Sequence, residues 1–278
     1  MADDVGGFCG LREWTSHSRI AHATAKTPLG PFIRKAVALP QEAHNASPLR
    51  SKDGLWYLFH IGDGSGKPVS NCSEPDTSTA SRSQVHAASG RGVAVATTVS
   101  ASNGGSFLHR AKSPDGPWEA LPDLECNNPA PMLHHNGTFF VGCNNGAFTI
   151  YRSEGDPSLG KWVEVVKMTF PAAWGGGHSQ FIRCEDPYLW MDTRGNWHFI
   201  SHNYDYRDGW PANPNQTMPI LVAGHGFSTD GLEWNFSTTP PYGSYADFAD
   251  GRRQMFATME RPHLVCAALR RRLIQERH

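Results

Sequence analysis

The feature that most constrains this chain is a tight-turn motif that returns four times. Each copy has Ser, Thr or Asp, usually Pro, then Gly and an aromatic residue two or three places later. The copies are Thr27-Pro28-Leu29-Gly30-Pro31-Phe32, Ser113-Pro114-Asp115-Gly116-Pro117-Trp118, Asp156-Pro157-Ser158-Leu159-Gly160-Lys161-Trp162 and Asp230-Gly231-Leu232-Glu233-Trp234. Pro presets the turn's φ, and Gly supplies the left-handed conformation a tight turn needs. The aromatic residue then fixes the next strand to its neighbour.

A second element precedes each turn: a polar residue, Pro, apolar residues, a Gly turn and an aromatic strand. Its copies begin at Asn45-Ala46-Ser47-Pro48, Asn128-Pro129-Ala130-Pro131, Glu185-Asp186-Pro187 and Glu260-Arg261-Pro262. Asp53-Gly54 and Asn136-Gly137 are strong hairpin dipeptides. Together the two elements make units of about four short strands, the signature of radial repetition. The spacing predicts an all-β, five-bladed β-propeller in a single domain, with incomplete first and last blades. The blades fall near 8–35, 45–119, 128–164, 185–235 and 260–278. Residues 63–90, rich in Ser, Thr and Gly, are expected to be a mobile insertion, and 266–278 a basic tail outside the repeat. The first strand of each propeller blade lines the central channel. The strand entrances Asn45, Asn128, Glu185 and Glu260 are therefore expected to meet at one end of the axis.

Composition supports this class. Charged residues are 18% of the chain, with nine Trp, 28 Gly and 20 Pro. Many turns and aromatics with few charges suit strands rather than helices. A net charge of -1 argues against nucleic acid as a partner, because phosphate binding needs a concentrated basic surface. No apolar run approaches the roughly 20 residues that span a bilayer. The six cysteines form no C-x-x-C pair, which excludes the usual structural zinc spacing and leaves one or two disulfides open. Sequons at Asn45, Asn71, Asn136, Asn215 and Asn235 point to the secretory pathway. Met1-Ala2-Asp3-Asp4 opens no signal peptide, so either the start is truncated or the chain is cytosolic and the sequons are accidental; the expectation is the first, a secreted chain. The expected state is a monomer.

The motifs Glu185-Asp186-Pro187-Tyr188-Leu189-Trp190, Glu260-Arg261-Pro262-His263-Leu264 and Ser113-Pro114-Asp115-Gly116-Pro117-Trp118 resemble the five-bladed propellers of glycoside hydrolase family 43 and its relatives, the arabinanases, levansucrases and invertases. The resemblance spans about Ile20 to Leu264. It implies hydrolysis of an oligo- or polysaccharide by a Glu general acid, an Asp general base and a second Asp that tunes the acid. One carboxyl must donate a proton to the leaving oxygen while the other activates water. Both Glu185 and Glu260 fit the family's Glu-x-Pro context for the acid. Asp186 serves either as a base or as a cap to the turn before Pro187. The family's base strand in the first blade has no counterpart in the repeat, and Asn45 stands where the tuning Asp is expected. Asn128 is likewise neutral, with Glu125 three residues before it.

The candidate catalytic residues are thus Glu185, Asp186 and Glu260. Candidate substrate-binding residues are His44, Asn45, Asn128, Arg261, His225, His263 and Trp174, the last by stacking on a sugar face. Trp190, Trp210 and Tyr204 share that stacking potential, whereas Trp56, Trp118, Trp162, Trp197 and Trp234 read as packing between blades. No cofactor is expected, although Gly176-Gly177-His178 and Gly224-His225 resemble the family's axial metal context for a calcium or sodium ion. A sugar-binding propeller without turnover and a protein-interaction propeller are the alternative functions.

Overall fold

A computed structural model of the chain describes residues 2–4, 17–66, 106–144, 148–168, 184–203, 223–243, 245–256 and 259–264. Its strands form five antiparallel sheets in which sequence neighbours pair. The first holds β1 (Ala2–Asp4), β2 (Ser18–Thr24) and β3 (Ile33–Leu39). The second holds β4 (His44–Arg50), β5 (Trp56–Ile61), β6 (Ser106–Ala111) and β7 (Glu119–Leu124). The third runs through β8 (Ala130–Leu133), β9 (Phe139–Asn144), β10 (Phe148–Ser153) and β11 (Trp162–Met168). The fourth comprises β12 (Cys184–Met191), β13 (Trp197–Asn203), β14 (Ala223–Ser228) and β15 (Asn235–Phe236). A hairpin of β16 (Tyr245–Asp247) and β17 (Arg253–Met255) is the fifth. The leading strands β1, β4, β8 and β12 adjoin one another in that order, as the inner strands of successive blades do. The fold is a five-bladed β-propeller with incomplete first and last blades.

The repeat motifs become repeated turns. In the β4–β5, β8–β9 and β12–β13 hairpins, Gly54, Gly137 and Gly195 take φ of 89°, 95° and 91°. Each donates its N–H to the carbonyl three residues back, at Ser51, His134 and Asp192 respectively. This is the arrangement of a turn followed by a left-handed glycine. The β16–β17 hairpin repeats it at Gly251, with φ 83° and a 2.9 Å bond to Phe248.

Three buried clusters fill the spaces between adjacent sheets. Ile20 and Leu39 meet Leu58 between the first and second. Tyr57, Phe59 and Leu108 meet Phe139 and Val141 between the second and third. Met132, Phe148 and Ile150 meet Leu189, Trp197 and Phe199 between the third and fourth. Trp118, Trp162 and Trp234 pack against these clusters. A Cys126–Cys143 disulfide lies buried in the second of them.

Three placements differ from the repeat-based expectation. The first sheet reaches Leu39 and includes a short inner strand, β1, where the repeat showed none. The fifth sheet lies before Glu260 rather than after it. Residues 259–264 carry no strand, and 265–278 are outside the described residues. Hydrophobic patterning does not mark β16 and β17, because Tyr245 and Met255 are 47% and 56% exposed. A two-pronged Arg253–Asp247 contact, at 2.6 and 3.0 Å, joins them instead. Most of the 63–90 insertion also lies outside the described residues.

One buried polar pair breaks the apolar pattern. His60 Nε2 lies 2.9 Å from His109 Nδ1, and His60 is fully buried. A single hydrogen bond between two imidazoles needs one donor and one acceptor, so the two rings cannot both be protonated. Burial first, and then His109, push His60 down to about 3. In the unfolded chain His60 protonates near 6.5. Its stabilising contribution is therefore complete above pH 6.5 and is lost as pH falls towards 3. Between pH 6.5 and 4.5 this one group should remove about 2–3 kcal/mol. Urea midpoints across that range should fall more steeply for the wild type than for His60→Asn, and parallel profiles would contradict the assignment.

Candidate active site

The entrances at Asn45, Asn128, Asp186 and Arg261 carry a backbone kink. In β4 the pairing passes from His44 opposite Ile61 to Ser47 opposite Phe59, so Asn45 and Ala46 oppose one residue, His60. In β12 it passes from Glu185 opposite His202 to Tyr188 opposite Ile200, so Asp186 and Pro187 oppose Ser201. These are β-bulges, which re-aim side chains at strand ends. Asn45, Asn128, Asp186 and Arg261 take φ of 54°, 49°, 47° and 55°. Asn and Asp visit the left-handed region with little cost, whereas an arginine there is uncommon.

The four kinked residues meet in one network. Asn45 Nδ2 donates to Asn128 Oδ1 at 2.9 Å and to Asp186 Oδ1 at 3.1 Å. Asn45 Oδ1 accepts from Arg261 Nε at 3.3 Å. Asn128 Nδ2 reaches Glu185 Oε1 at 3.5 Å. Arg261 also lies 3.9 Å from Asp186 Oδ1 and 3.8 Å from Glu260 Oε2. Its Nη2 donates to His44 Nε2 at 2.8 Å, and His44 Nδ1 pairs with Ser18 Oγ at 3.2 Å. An arginine has no acceptor, so His44 must take that bond on a bare nitrogen. Burial and the Arg261 charge push His44 down to about 4, in keeping with a neutral ring.

Asp186 is the innermost carboxyl, 7% exposed. Burial raises its pKa above the ordinary value; Arg261 opposes that rise and Glu260 adds to it. Glu185 and Glu260 are half-buried. His202, which the sequence reading did not single out, is buried opposite Glu185. Burial pushes it down to about 4, with Glu260 and Arg261 acting in opposite directions. Its signal is its place at the end of the second strand, facing an entrance.

The structure joins Asn45, Asn128, Glu185, Asp186, Glu260, Arg261 and His44. The register differs from the expected one: the matching positions are Asn45, Asn128, Asp186 and Arg261, with Glu185 and Glu260 one place earlier. Asp186 is more than a cap, since its carboxyl accepts a bond from another blade. His225 and His263 lie apart from the network, along a groove of about 450 Å³ that Glu260 also lines. Glu125 is exposed. Trp174, His178, Tyr204 and Trp210 are outside the described residues. The Arg261 guanidinium stands among the axial carboxylates, a poor setting for a cation. Among the described residues, no group of three or more His, Cys, Asp or Glu could hold a metal.

No family model matches the chain, and no curated protein matches it in sequence. Solved structures share its fold. An exo-β-1,3-galactanase from Phanerochaete chrysosporium, crystallised as a Glu-to-Ala variant with β-1,3-galactotriose, is 12% identical with a TM-score of 0.50. The match covers 81% of this chain and 44% of that one. An exo-β-1,3-galactanase from Clostridium thermocellum is 10% identical with a TM-score of 0.50, over 85% of this chain and 44% of that one. The chain thus spans less than half the length of either enzyme.

Proposed function

We propose that this chain is a carbohydrate-active propeller that hydrolyses an O-glycosidic bond with its axial carboxylates. The observation that carries the reading is one network, drawn from entrances far apart in sequence, that joins Asp186 and Glu260 to Arg261 and Glu185 to Asn128. In this reading Glu185 protonates the leaving oxygen and Glu260, ion-paired with Arg261, activates water. The buried Asp186 tunes the site through Arg261 and Asn45. Asn45, Asn128 and His44 hold the network in place.

The solved relatives make β-1,3-linked galacto-oligosaccharides the first substrates to try. A secreted setting agrees with the Cys126–Cys143 disulfide and with exposed sequon residues at Asn136 and Asn235.

A second reading, sugar binding without turnover, is favoured by the amides at Asn45 and Asn128, which cannot act as acids. Incubation with β-1,3-galacto-oligosaccharides, arabino-oligosaccharides and aryl glycosides separates the two. Shortened sugars are the expected product. Calorimetric binding with no product would support the second reading, and neither result on any panel member would sink both.

A further inference from the structure

The fourth sheet presents a face unlike the apolar faces between the other blades. Trp190, His198 and His225, from three adjacent strands, lie nearly parallel on it. Interplanar angles are 14° for Trp190–His198, 13° for Trp190–His225 and 10° for His198–His225. The two imidazoles are bonded, His198 Nδ1 to His225 Nε2 at 3.1 Å. Behind them His198 Nε2 faces Asp192 Oδ2 at 3.6 Å. A carboxylate there favours the tautomer with the proton on His198 Nε2. His198 Nδ1 must then accept, His225 Nε2 must donate, and Nδ1 becomes the acceptor of the His225 ring. Burial and then His198 hold His225 below its ordinary value, so the ring is neutral near pH 7.

Trp190 and His225 of this platform line the groove of about 450 Å³, together with Tyr242, Met259 and Glu260. That volume falls in the roughly 300–1,000 Å³ range of small-molecule sites. Glu260 belongs to both the groove and the axial network, so the two are continuous. Flat rings beside a fixed hydrogen-bond acceptor suit a ligand with an apolar C–H face and hydroxyl groups at its edge.

We propose that the groove is a saccharide subsite leading from the axial carboxylates, in which Trp190 stacks on a sugar ring and His225 Nδ1 accepts from one of its hydroxyls. The proposal rests on the carbohydrate reading above and names a binding position within it. His225 is a specificity residue here, and His198 with Asp192 positions it.

The test uses the full chain labelled with ¹⁵N-histidine and titrated with β-1,3-galactotriose. The expected results are a His225 ring protonated on Nε2, an Nδ1 shift on saturation, and a fluorescence change absent from Trp190→Phe. His225→Ala should weaken binding about 10-fold, while His225→Gln, which keeps an acceptor, should stay within about 3-fold. Saccharide binding with unchanged His225 and Trp190 signals would overturn the subsite and leave the axial reading standing. An Nδ1-protonated His225 would also overturn it. The absence of saccharide binding by the wild type would remove both.

Discussion

Glu185→Gln should lower kcat/KM by about 10³-fold on any glycoside the wild-type chain cleaves, within the usual 10²–10⁴ contribution of a general acid. Gln keeps the shape and an acceptor for the Asn128 amide, which lies 3.5 Å from Glu185 Oε1. It cannot supply a proton. The loss should therefore depend on the leaving group: large for an oligosaccharide, and small for an aryl glycoside whose phenolate departs without protonation. Glu260→Gln should be equally damaging for both substrates, because both need activated water. Comparing kcat/KM for the two variants across leaving groups tests the assignment of roles. Equal losses for Glu185→Gln on all substrates would remove Glu185 as the acid. Binding of saccharide should survive in both variants, which separates a chemical defect from a folding one.

A large stability loss is expected from Gly226→Ala. A Cβ at Gly226 would lie 2.2 Å from Phe199 Cε1 and 2.7 Å from its Cζ. Gly142 stands in the same relation to Phe148, with the nearest ring atom at 2.4 Å. The two phenylalanines pack together across the third and fourth sheets, ring centroids 4.5 Å apart, and both are fully buried. Each glycine thus leaves room for one ring of the pair. Phe199 also meets Trp234 at 5.3 Å, so it cannot turn aside without disturbing a second ring. Forcing a methyl group into such a core costs about 1–3 kcal/mol or more. In a chain of this size that lowers Tm by roughly 2–4 °C per kcal/mol. Adding Phe199→Leu to Gly226→Ala should recover part of the loss, a non-additivity expected of residues in contact. Strict additivity in denaturant midpoints would show that the ring is not what the methyl group meets.

Much of the architecture was legible because propeller blades repeat their punctuation. The Pro-Gly-aromatic turns and the Asp-Gly and Asn-Gly dipeptides fixed where three complete sheets begin and turn. The fifth sheet was not legible from apolar runs, since its strands are exposed and joined by Arg253 and Asp247. Its clue was Asp250-Gly251, the dipeptide that also turns the β4–β5 hairpin at Asp53-Gly54. The members of the axial site were legible from the entrances, but their register was not. Sequence alignment places Glu185 with Asn45, whereas the bulge makes Asp186 the equivalent residue, because the left-handed position sets which side chain turns inward. His202 escaped notice because its partner lies across a hairpin, and no local pattern reports that.

The repeated left-handed kink has a consequence for how this fold can change its chemistry. The entrances at Asn45, Asn128, Asp186 and Arg261 each hold one residue at a similar left-handed φ, and that position carries an amide, a carboxylate or a guanidinium in this chain. Frame and reactive group are thereby separable, like interchangeable bits in one chuck. An exchange such as Asn45→Asp keeps the backbone pose but trades the bonds donated to Asn128 and Asp186 for a second carboxylate beside Asp186. What limits a change of chemistry on this frame is therefore the hydrogen-bond and charge balance at the axis rather than the backbone that carries it.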